Sequence, residues 1–294
     1  MKILVTGANG QLGRELVRLG RRTDLEVHGL SHRQLDVTKK SQIYQIFDRI
    51  SPSLVINAAA YTQVDKAETE PDLAYAVNQK GPADLARYCA DNHLTFIHIS
   101  TDYVFDGTKG RPYEEDDAMA PLGIYGQSKA RGETAVRAIL PSHIIVRTAW
   151  LYGVYGNNFV KTVLKLASEK TALRVVADQF GSPTGAADLA ESILTIARKI
   201  RAKEKFDWGT YHYCCRGITT WHGLAEKILE LAAPYTALRT RKVTAITTPE
   251  WPTPAKRPPY SVLNCTRLKR QFGIEPPPWE KSLKHTIERI FTGS

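Results

Sequence analysis

The sequence of 294 residues predicts an α/β fold with a doubly wound parallel sheet and a smaller C-terminal lobe. Two observations support this prediction. In the first half of the chain, short and nearly all-apolar segments alternate with segments of helical periodicity, as in strands buried on both faces of a sheet. The first apolar segment also runs directly into a glycine-rich turn and an amphipathic helix.

The elements follow in a regular order up to Trp150 and less regularly beyond it. Predicted strands occupy residues 1–5, 25–30, 52–58, 94–99, 143–147 and 210–214. Predicted helices follow the glycine turn and occupy residues 39–50, 71–92, 127–140, 158–169, 187–201 and 220–232. The proline-rich segment 248–279 is predicted to form ordered loops. We therefore expect one domain over 1–150, to which 186–214 returns, and a substrate-binding lobe formed by 151–185 and 215–294.

The composition is that of a globular protein with a sizeable core, with 43% hydrophobic and 24% charged residues. No segment approaches the ~20 apolar residues of a membrane span. We find no signal peptide, and we expect a cytoplasmic protein without a membrane partner. The cysteines have no metal-ligand spacing and are interpreted as reduced structural thiols; they are Cys89, Cys214, Cys215 and Cys265.

The net charge of +10 raises the question of nucleic-acid binding. The basic residues are spread from Arg14 to Arg289 without a dense block, and no nucleic-acid motif accompanies them. This distribution favours a general attraction for polyanionic small molecules. A cofactor and a substrate that each carry a pyrophosphate would suit it, whereas no nucleic-acid partner is expected.

The glycine turn Gly7–Gly13 predicts a dinucleotide site. Gly7 allows a sharp turn, Gly10 lets backbone N–H groups approach phosphate, and Gly13 lets the helix pack on the sheet. The spacing is one residue longer than the G-x-G-x-x-G fingerprint, so its position between strand and helix is the stronger argument. The remaining predicted cofactor contacts in this turn are Asn9, Gln11 and Leu12.

The segment after the second strand bears on the choice of cofactor. An acidic residue there would bind the ribose 2′-hydroxyl of NAD, but this chain has Ser31 and Arg33. A guanidinium and a hydroxyl suit a 2′-phosphate, which favours NADPH, with NADH still possible. Asp36 could serve the adenine edge or take the ribose role, and Val37 beside it is a further predicted contact.

Two further strand ends carry predicted cofactor or catalytic residues. Small residues after the third strand would let the backbone lie against a flat cofactor, although close helix packing would require them too; they are Ala58, Ala59 and Ala60. After the fourth strand comes Thr101, and the next helix begins near Tyr125 and Lys129, which share a face because they are four residues apart.

This trio suits hydride transfer to a carbonyl, in which the oxygen gains negative charge and must receive a proton. Tyr125 is the candidate proton donor, and Thr101 would hold the same oxygen. We expect the Lys129 ammonium to lower the pKa of Tyr125, and a shift of ~3 units would require ~4 kcal/mol.

The chain resembles the extended short-chain dehydrogenase/reductases and, among them, the dTDP-4-dehydrorhamnose reductase family. The resemblance covers nearly the whole chain and rests on TGANGQLG at 6–13, NAAAYTQVDKAE at 57–68, STDYVFDG at 100–107, YGQSK at 125–129, RTAWLYG at 147–153, DQFGSPT at 178–184 and RPPYSVLN at 257–264. It implies a Rossmann-like fold and NADPH-dependent reduction at C4 of a dTDP-linked deoxyhexulose.

The resemblance also implies roles for individual residues. Thr101, Tyr125 and Lys129 form its catalytic trio, with Lys129 also holding the nicotinamide ribose. Arg257 is the natural partner of the diphosphate, because a guanidinium binds phosphate bidentately. The other residues expected at the deoxysugar and its nucleotide are Asp102, Tyr103, Trp150, Asn157, Asn158 and Gln179.

The chain departs from the family pattern before the tyrosine, where Gly123 stands in place of a frequent asparagine. We expect a neighbouring backbone group to replace that contact. Some relatives dimerise through Mg²⁺, and a homodimer is expected here. The candidate ligands, equally interpretable as solvated surface acids, are Glu15, Asp188 and Glu191.

Two alternatives remain open at this point. A sugar-nucleotide dehydratase or epimerase would retain NAD⁺, but the Asp-Glu pair typical of dehydratases is absent because Tyr103 follows Asp102. A regulatory subunit similar to the β-subunit of methionine adenosyltransferase would bind NADP without turnover. Retention of Tyr125 and Lys129 does not exclude this second alternative.

Overall fold

The computed structural model describes residues 1–293, and within that range the chain forms twelve strands and eleven α-helices. The strands are β1 (Lys2–Thr6), β2 (Glu26–Leu30), β3 (Leu54–Asn57), β4 (Thr95–Thr101), β5 (His143–Thr148), β6 (Leu151–Tyr152), β7 (Ala172–Val176), β8 (Phe180–Gly181), β9 (Thr184–Gly185), β10 (Gly209–His212), β11 (Thr219–Thr220) and β12 (Lys242–Ile246). The helices are α1 (Gln11–Gly20), α2 (Lys40–Ile50), α3 (Val64–Ala67), α4 (Pro71–Tyr75), α5 (Gly81–Asp91), α6 (Ile124–Ile139), α7 (Phe159–Glu169), α8 (Ala186–Arg201), α9 (Trp221–Ala232), α10 (Thr266–Phe272) and α11 (Trp279–Thr292).

Six strands form one parallel sheet in the order β10-β5-β4-β3-β1-β2, which confirms the predicted fold class. The chain moves outward from β1 to β2 on one side and from β3 to β10 on the other. The strand order therefore reverses between β1 and β3, and a crevice opens beyond the carboxyl ends of strands at such a point. Thr6 and Asn57 lie opposite each other at this position.

Side chains alternate between the two faces of the sheet, as the period of a strand requires. Along β1, Ile3 and Val5 pack in an apolar layer with α1 and α8, whereas Leu4 packs on the other face with α2 and α5. Burial of each such side chain stabilises the fold by ~1.5–3 kcal/mol. Both faces of the sheet are therefore covered by helices.

A separate apolar cluster is formed by α7, α9 and α11. The parallel strands β7 and β12 pair beside them, with Leu173 opposite Val243. Neither of these strands is predicted from the sequence, because both are partly exposed and lack a continuous apolar run. The segment 248–279, predicted to form loops, contains the helix α10, and α11 is a further helix that was not predicted.

The predicted helix 71–92 is wrong as a single α-helix, because a π-helical turn, Ala76–Lys80, separates α4 from α5. Asn78 in this turn is buried and bonds to both backbone groups of Tyr61, and its Nδ2 also donates to Ser128 Oγ. Such bulges frequently occur at functional sites. This one ties the segment after β3 to α6.

Among the described residues, none of the helices has the length and apolar character to span a bilayer. The four cysteines are free, as predicted, and three of them are buried.

Candidate active site

A cavity of about 740 Å³ lies beyond the carboxyl ends of the central strands, and we call it the main cavity. It is bounded by the start of α1, the segments after β3, β4 and β5, and the start of α6. Predicted site residues that line it are Gly10, Gln11, Leu12, Ala58, Ala60, Thr101, Asp102, Tyr103, Tyr125, Lys129, Trp150, Asn157 and Asn158.

The glycine turn has no room for a side chain at Gly7 or Gly13. Gly7 has φ +66, and a Cβ there would lie 2.7 Å from the carbonyl oxygen of Ala58. A Cβ on Gly13 would collide with the carbonyl oxygen of Gly7. Because Gly10 caps α1 without a side-chain hydrogen bond, the positive N-terminus of that helix is open to a phosphate group.

The predicted cofactor residues after β2 lie outside the main cavity. Arg33 is exposed and makes no hydrogen bond or ion pair with another residue of the range 1–293. Ser31 donates from its hydroxyl to Gln34 Oε1 at 2.7 Å. Asp36 accepts hydrogen bonds from the backbone and hydroxyl of Thr38, and its Oδ2 lies 3.9 Å from Lys39 Nζ, so this carboxylate is not paired with Arg33.

The remaining cofactor candidates are Ala59, Val37 and Asn9. Ala59 packs against Gly7, and Val37 is buried against Gly81. Asn9 is exposed at the tip of the turn. These three do not line the main cavity.

Thr101 and Tyr125 both line the main cavity, and Thr101 lies close enough to Tyr125 to lower its pKa. Thr101 ends β4, and its hydroxyl donates to Asp102 Oδ1 at 3.0 Å. Tyr125 is the second residue of α6, and its ring meets that of Tyr103 edge-on at 5.5 Å. The phenol of Tyr125 and the hydroxyl of Thr101 therefore lie in the same part of the main cavity.

The pKa of Tyr125 differs from the expectation. Burial raises the pKa to about 12, and the hydroxyl of Thr101 opposes that rise. The Lys129 ammonium is not among the groups that shift this pKa, and its Nζ donates to the carbonyl oxygen of Ile99 at 2.6 Å. The phenol is therefore fully protonated at neutral pH, as a proton donor must be before reaction.

Lys129 is almost completely buried, and burial lowers its pKa to about 8, while the charge of Glu133 opposes the change. Glu133 itself is held by ion pairs with Arg137 and Arg147. Lys129 thus keeps its charge at neutral pH without a direct carboxylate partner.

Asp102 has an orphan oxygen. Its Oδ2 is buried without a hydrogen-bond partner among the described residues, and the side chain lines the main cavity. Burial raises the pKa of Asp102 to about 6, although hydrogen bonds with Ser261 and Thr101 lower it. Such an atom requires an explanation, and a donor group of a ligand in the main cavity would supply one.

Trp150 has the left-handed conformation, with φ 46, and its ring stacks on Trp221 at 3.6 Å. The absence of a side chain at Gly181 makes room for that ring. Asn158 caps α7 and donates to Gln11 Oε1 at 2.9 Å, so it links the lobe to α1. Asn157 lines the main cavity and is exposed.

Gln179 and Arg257 lie apart from the main cavity, in a second one of about 450 Å³ that we call the side cavity. Tyr103 and Trp221 line both cavities. Gln179 accepts a hydrogen bond from Trp221 Nε1 and donates one to Thr248 Oγ1, so it holds the Trp221 ring in place between the two cavities. Tyr103 and Trp221 therefore form a wall that the two cavities share.

The backbone replacement expected at Gly123 stays a prediction, and the structure shows the carboxylate of Glu68 beside this glycine. Glu68 Oε1 accepts a hydrogen bond from the backbone N–H of Ile124 at 2.9 Å, and a Cβ on Gly123 would lie 2.6 Å from that oxygen. A carboxylate at a helix N-terminus is favourable. Glu68 therefore fixes the start of α6 directly before Tyr125.

The candidate metal ligands do not form a metal site in the range 1–293. Glu15 is buried and bonded to Arg18 and Arg289, both at 2.8 Å. Asp188 accepts from Ser282 Oγ, and Glu191 is exposed. The guanidinium groups of Arg18 and Arg289 thus occupy both carboxylate oxygens of Glu15, which a metal ion would need as ligands.

Sequence reasoning missed several residues that shape the site, namely Asn57, Glu68, Asn78, His98 and Trp221. Their contacts join positions far apart in the chain, for example 56 residues between Glu68 and Ile124. The sequence offered one signal for such residues, namely a polar residue inside an otherwise apolar strand, as at His98.

The chain is similar to known proteins along nearly its whole length. The family model described as RmlD substrate binding domain matches residues 1–291. A dTDP-4-dehydrorhamnose reductase of Aggregatibacter actinomycetemcomitans is 44% identical over 289 residues, which are 97% of each chain.

Solved structures are similar along the whole chain. A dTDP-4-dehydrorhamnose reductase of Clostridium acetobutylicum has TM-score 0.91 and 43% identity, covering 98% of this chain and 99% of that one. A dTDP-4-dehydrorhamnose reductase of Bacillus anthracis in complex with NADP has TM-score 0.89 and 38% identity, covering 97% and 98%.

Proposed function

We propose, on the premise that this chain belongs to the RmlD substrate binding domain family, that it reduces the C4 ketone of dTDP-4-dehydro-L-rhamnose to dTDP-L-rhamnose with NADPH. The chain is a sugar-nucleotide oxidoreductase. The observation that carries the specific proposal is the meeting of Thr101, Tyr125 and Lys129 in the cavity that also holds the start of α1.

The residues present fit a dinucleotide. The turn at Gly7 and Gly13 excludes side chains, and the uncapped N-terminus of α1 borders the main cavity. NADPH would supply the hydride. We propose that Gly10, Gln11 and Leu12 hold its pyrophosphate and that Arg33, unpaired and exposed, holds its 2′-phosphate.

Tyr125 is proposed as the proton donor to the carbonyl oxygen. Its high pKa keeps the phenol protonated until charge develops on that oxygen. The hydroxyl of Thr101, which donates to Asp102 Oδ1 in this structure, would turn to donate a second hydrogen bond to the same oxygen. Lys129, charged at neutral pH, stabilises the phenolate that remains after the transfer. Its proposed second role is to hold the nicotinamide ribose.

The sugar is proposed to lie against Trp150, with Asp102 and Asn157 facing its hydroxyls. The diphosphate and nucleoside would extend into the side cavity, where Arg257 supplies a bidentate donor and Trp251 an aromatic wall. This placement is supported by the shared wall of Tyr103 and Trp221.

We also retain the division into a cofactor domain and a substrate lobe as a proposal. It is supported by the separate apolar cluster of α7, α9 and α11, and by β10 pairing with β5. The homodimer and the cytoplasmic location stay predictions.

The test is oxidation of NADPH, followed by its near-ultraviolet absorbance, with dTDP-4-dehydro-L-rhamnose as substrate. Substrate-dependent oxidation with formation of dTDP-L-rhamnose is expected. Tight NADPH binding without turnover would refute the proposal and favour the regulatory alternative.

A further inference from the structure

A chain of buried polar side chains crosses the sheet beneath Lys129. Thr6 on β1 donates to Asn57 Oδ1 on β3 at 2.6 Å, Asn57 Nδ2 lies 3.1 Å from His98 Nδ1 on β4, and His98 Nε2 lies 3.4 Å from Lys129 Nζ. The exposed fractions of Thr6, Asn57 and His98 are zero. Polar groups are costly at such depth unless each serves a partner.

The orientation of the Asn57 amide is fixed by its own partners. Oδ1 accepts from the Thr6 hydroxyl and from the backbone N–H of Ala59 at 3.2 Å, and a backbone N–H can only donate. The amide nitrogen must therefore point towards His98, where it donates to Nδ1. A ring nitrogen that accepts a hydrogen bond carries no proton.

His98 is neutral in this environment. Burial lowers its pKa well below the usual value, and the positive charge of Lys129 lowers it further, with smaller effects of His143 on β5 and Arg137 on α6. A neutral imidazole whose Nδ1 is unprotonated carries its proton on Nε2. That N–H is the group that faces Lys129.

We propose that His98 is a positioning residue for Lys129, locked by Asn57 as the Nε2–H tautomer, so that it presents a donor to the lysine nitrogen and sets the pH at which the ammonium is lost. The part of this inference that concerns turnover rests on the proposed function. The tautomer and the titration of Lys129 do not depend on it.

The direction of the effect follows from hydrogen-bond chemistry. An ammonium has donors only, so it cannot bond to an N–H, whereas a neutral amine can accept one. His98 therefore stabilises the neutral form of Lys129. Glu133 on α6 acts in the opposite direction to His98, because its negative charge favours the ammonium form of Lys129. The phenol of Tyr125 is protonated and adds no charge.

The first experiment measures the tautomer directly. Nitrogen-15 NMR of protein labelled at its histidines distinguishes protonated from unprotonated ring nitrogens, and His98→Phe assigns the signals. We expect His98 to keep a protonated Nε2 and an unprotonated Nδ1 from mildly acidic to mildly alkaline pH. A protonated Nδ1, or a ring that becomes charged in this range, would overturn the proposal.

The second experiment reverses the tautomer. In Asn57→Asp the carboxylate still accepts from Thr6 and Ala59, but it can only accept from His98, which moves the ring proton to Nδ1. Nε2 then accepts from the Lys129 ammonium. The pKa of Lys129, followed by NMR of its side chain, should rise by about one unit or more, equivalent to ~1.4 kcal/mol.

Two controls isolate the path through the ring. The added carboxylate charge also favours the ammonium, so the double variant Asn57→Asp/His98→Phe measures that contribution alone and should lose most of the rise. His143→Phe makes the same ring exchange on β5 and should leave the pKa of Lys129 unchanged. A full rise in the double variant, or none in Asn57→Asp, would refute the proposal.

Kinetics provide the link to turnover. If the proposed reaction occurs, the alkaline limb of the kcat/KM profile should move upward in Asn57→Asp together with the NMR titration. A shifted titration with an unshifted kinetic limb would separate His98 from catalysis. Absence of any turnover would refute the proposed function alone, and the NMR result would still decide the role of His98.

Discussion

Arg257 holds Asp65 through two hydrogen bonds, of 2.9 Å from Nη1 and 2.7 Å from Nη2, within the side cavity. The hydrogen bond from Arg257 lowers the pKa of Asp65, so the carboxylate is charged at neutral pH. A nucleotide diphosphate would make the same bidentate contact with the guanidinium. Asp65 and the proposed substrate therefore compete for Arg257.

This competition predicts opposite effects of two substitutions. Arg257→Ala should raise KM for the sugar nucleotide ~10–100-fold with a smaller change in kcat, because a charge-assisted contact of ~1.5–3 kcal/mol is lost. Asp65→Asn should lower KM a few-fold by freeing the guanidinium. Steady-state kinetics measure both, with the exposed neighbour variant Lys256→Ala as control. A raised KM in Asp65→Asn would contradict the competition.

Tyr125→Phe should reduce kcat ~10²–10⁴-fold, because the phenol is the proposed proton donor. Affinity for NADPH, measured by fluorescence titration, should change little. Tyr44→Phe removes a hydroxyl far from the main cavity, one that bonds Asp91, and serves as the matched control. Retention of most activity in Tyr125→Phe would disprove the proton-donor role.

Arg33→Ala should weaken NADPH ~10–100-fold, since it removes the unpaired cation proposed to meet the 2′-phosphate. NADH lacks that phosphate, and its affinity should be nearly unchanged. Arg49→Ala, an exposed arginine at the end of α2, controls for a general loss of positive charge. Equal losses for both cofactors would show that Arg33 does not choose between them.

Asp102→Asn should stabilise the protein in a pH-dependent way. Burial raises the pKa of Asp102 from 3.8 to about 6, so the native state binds this proton more tightly than the unfolded chain does. The stabilisation associated with that proton is complete below pH 3.8 and is lost as pH rises through about 6.

Because asparagine does not ionise, the variant should gain ~1–3 kcal/mol over the parent chain at about pH 8 and much less near pH 4. Urea unfolding at the two pH values gives this difference. An equal gain at both would mean that ionisation of Asp102 is not its cause. The same substitution should impair turnover if the orphan oxygen meets the sugar.

The strands of the main sheet could be predicted because burial on both faces leaves uninterrupted apolar runs, as at Ile3–Val5. The turn at Gly7–Gly13 and the pair Tyr125 and Lys129 are local in sequence, so their spacing was sufficient to place them together. The edge pair β7 and β12 carries no such run, since it covers only one side of a smaller lobe.

The parts of the site that escaped prediction depend on contacts across the fold. The carboxylate of Glu68 fills the space left at Gly123, and only the tertiary structure brings these residues together. The same holds for Asn78, whose π-helical turn has no pattern distinct from the α-helices around it. Likewise, the pKa of Tyr125 depends on how deeply its ring is buried, which sequence spacing does not reveal.

The ion pair between Glu15 and Arg289 joins the first helix to the last. A ribosome completes α1 long before it makes α11, so Glu15 has only Arg18 as its counter-charge during most of synthesis. The complete set of ion pairs at Glu15, and with it this contact between α1 and α11, can therefore form only after α11 has been synthesised.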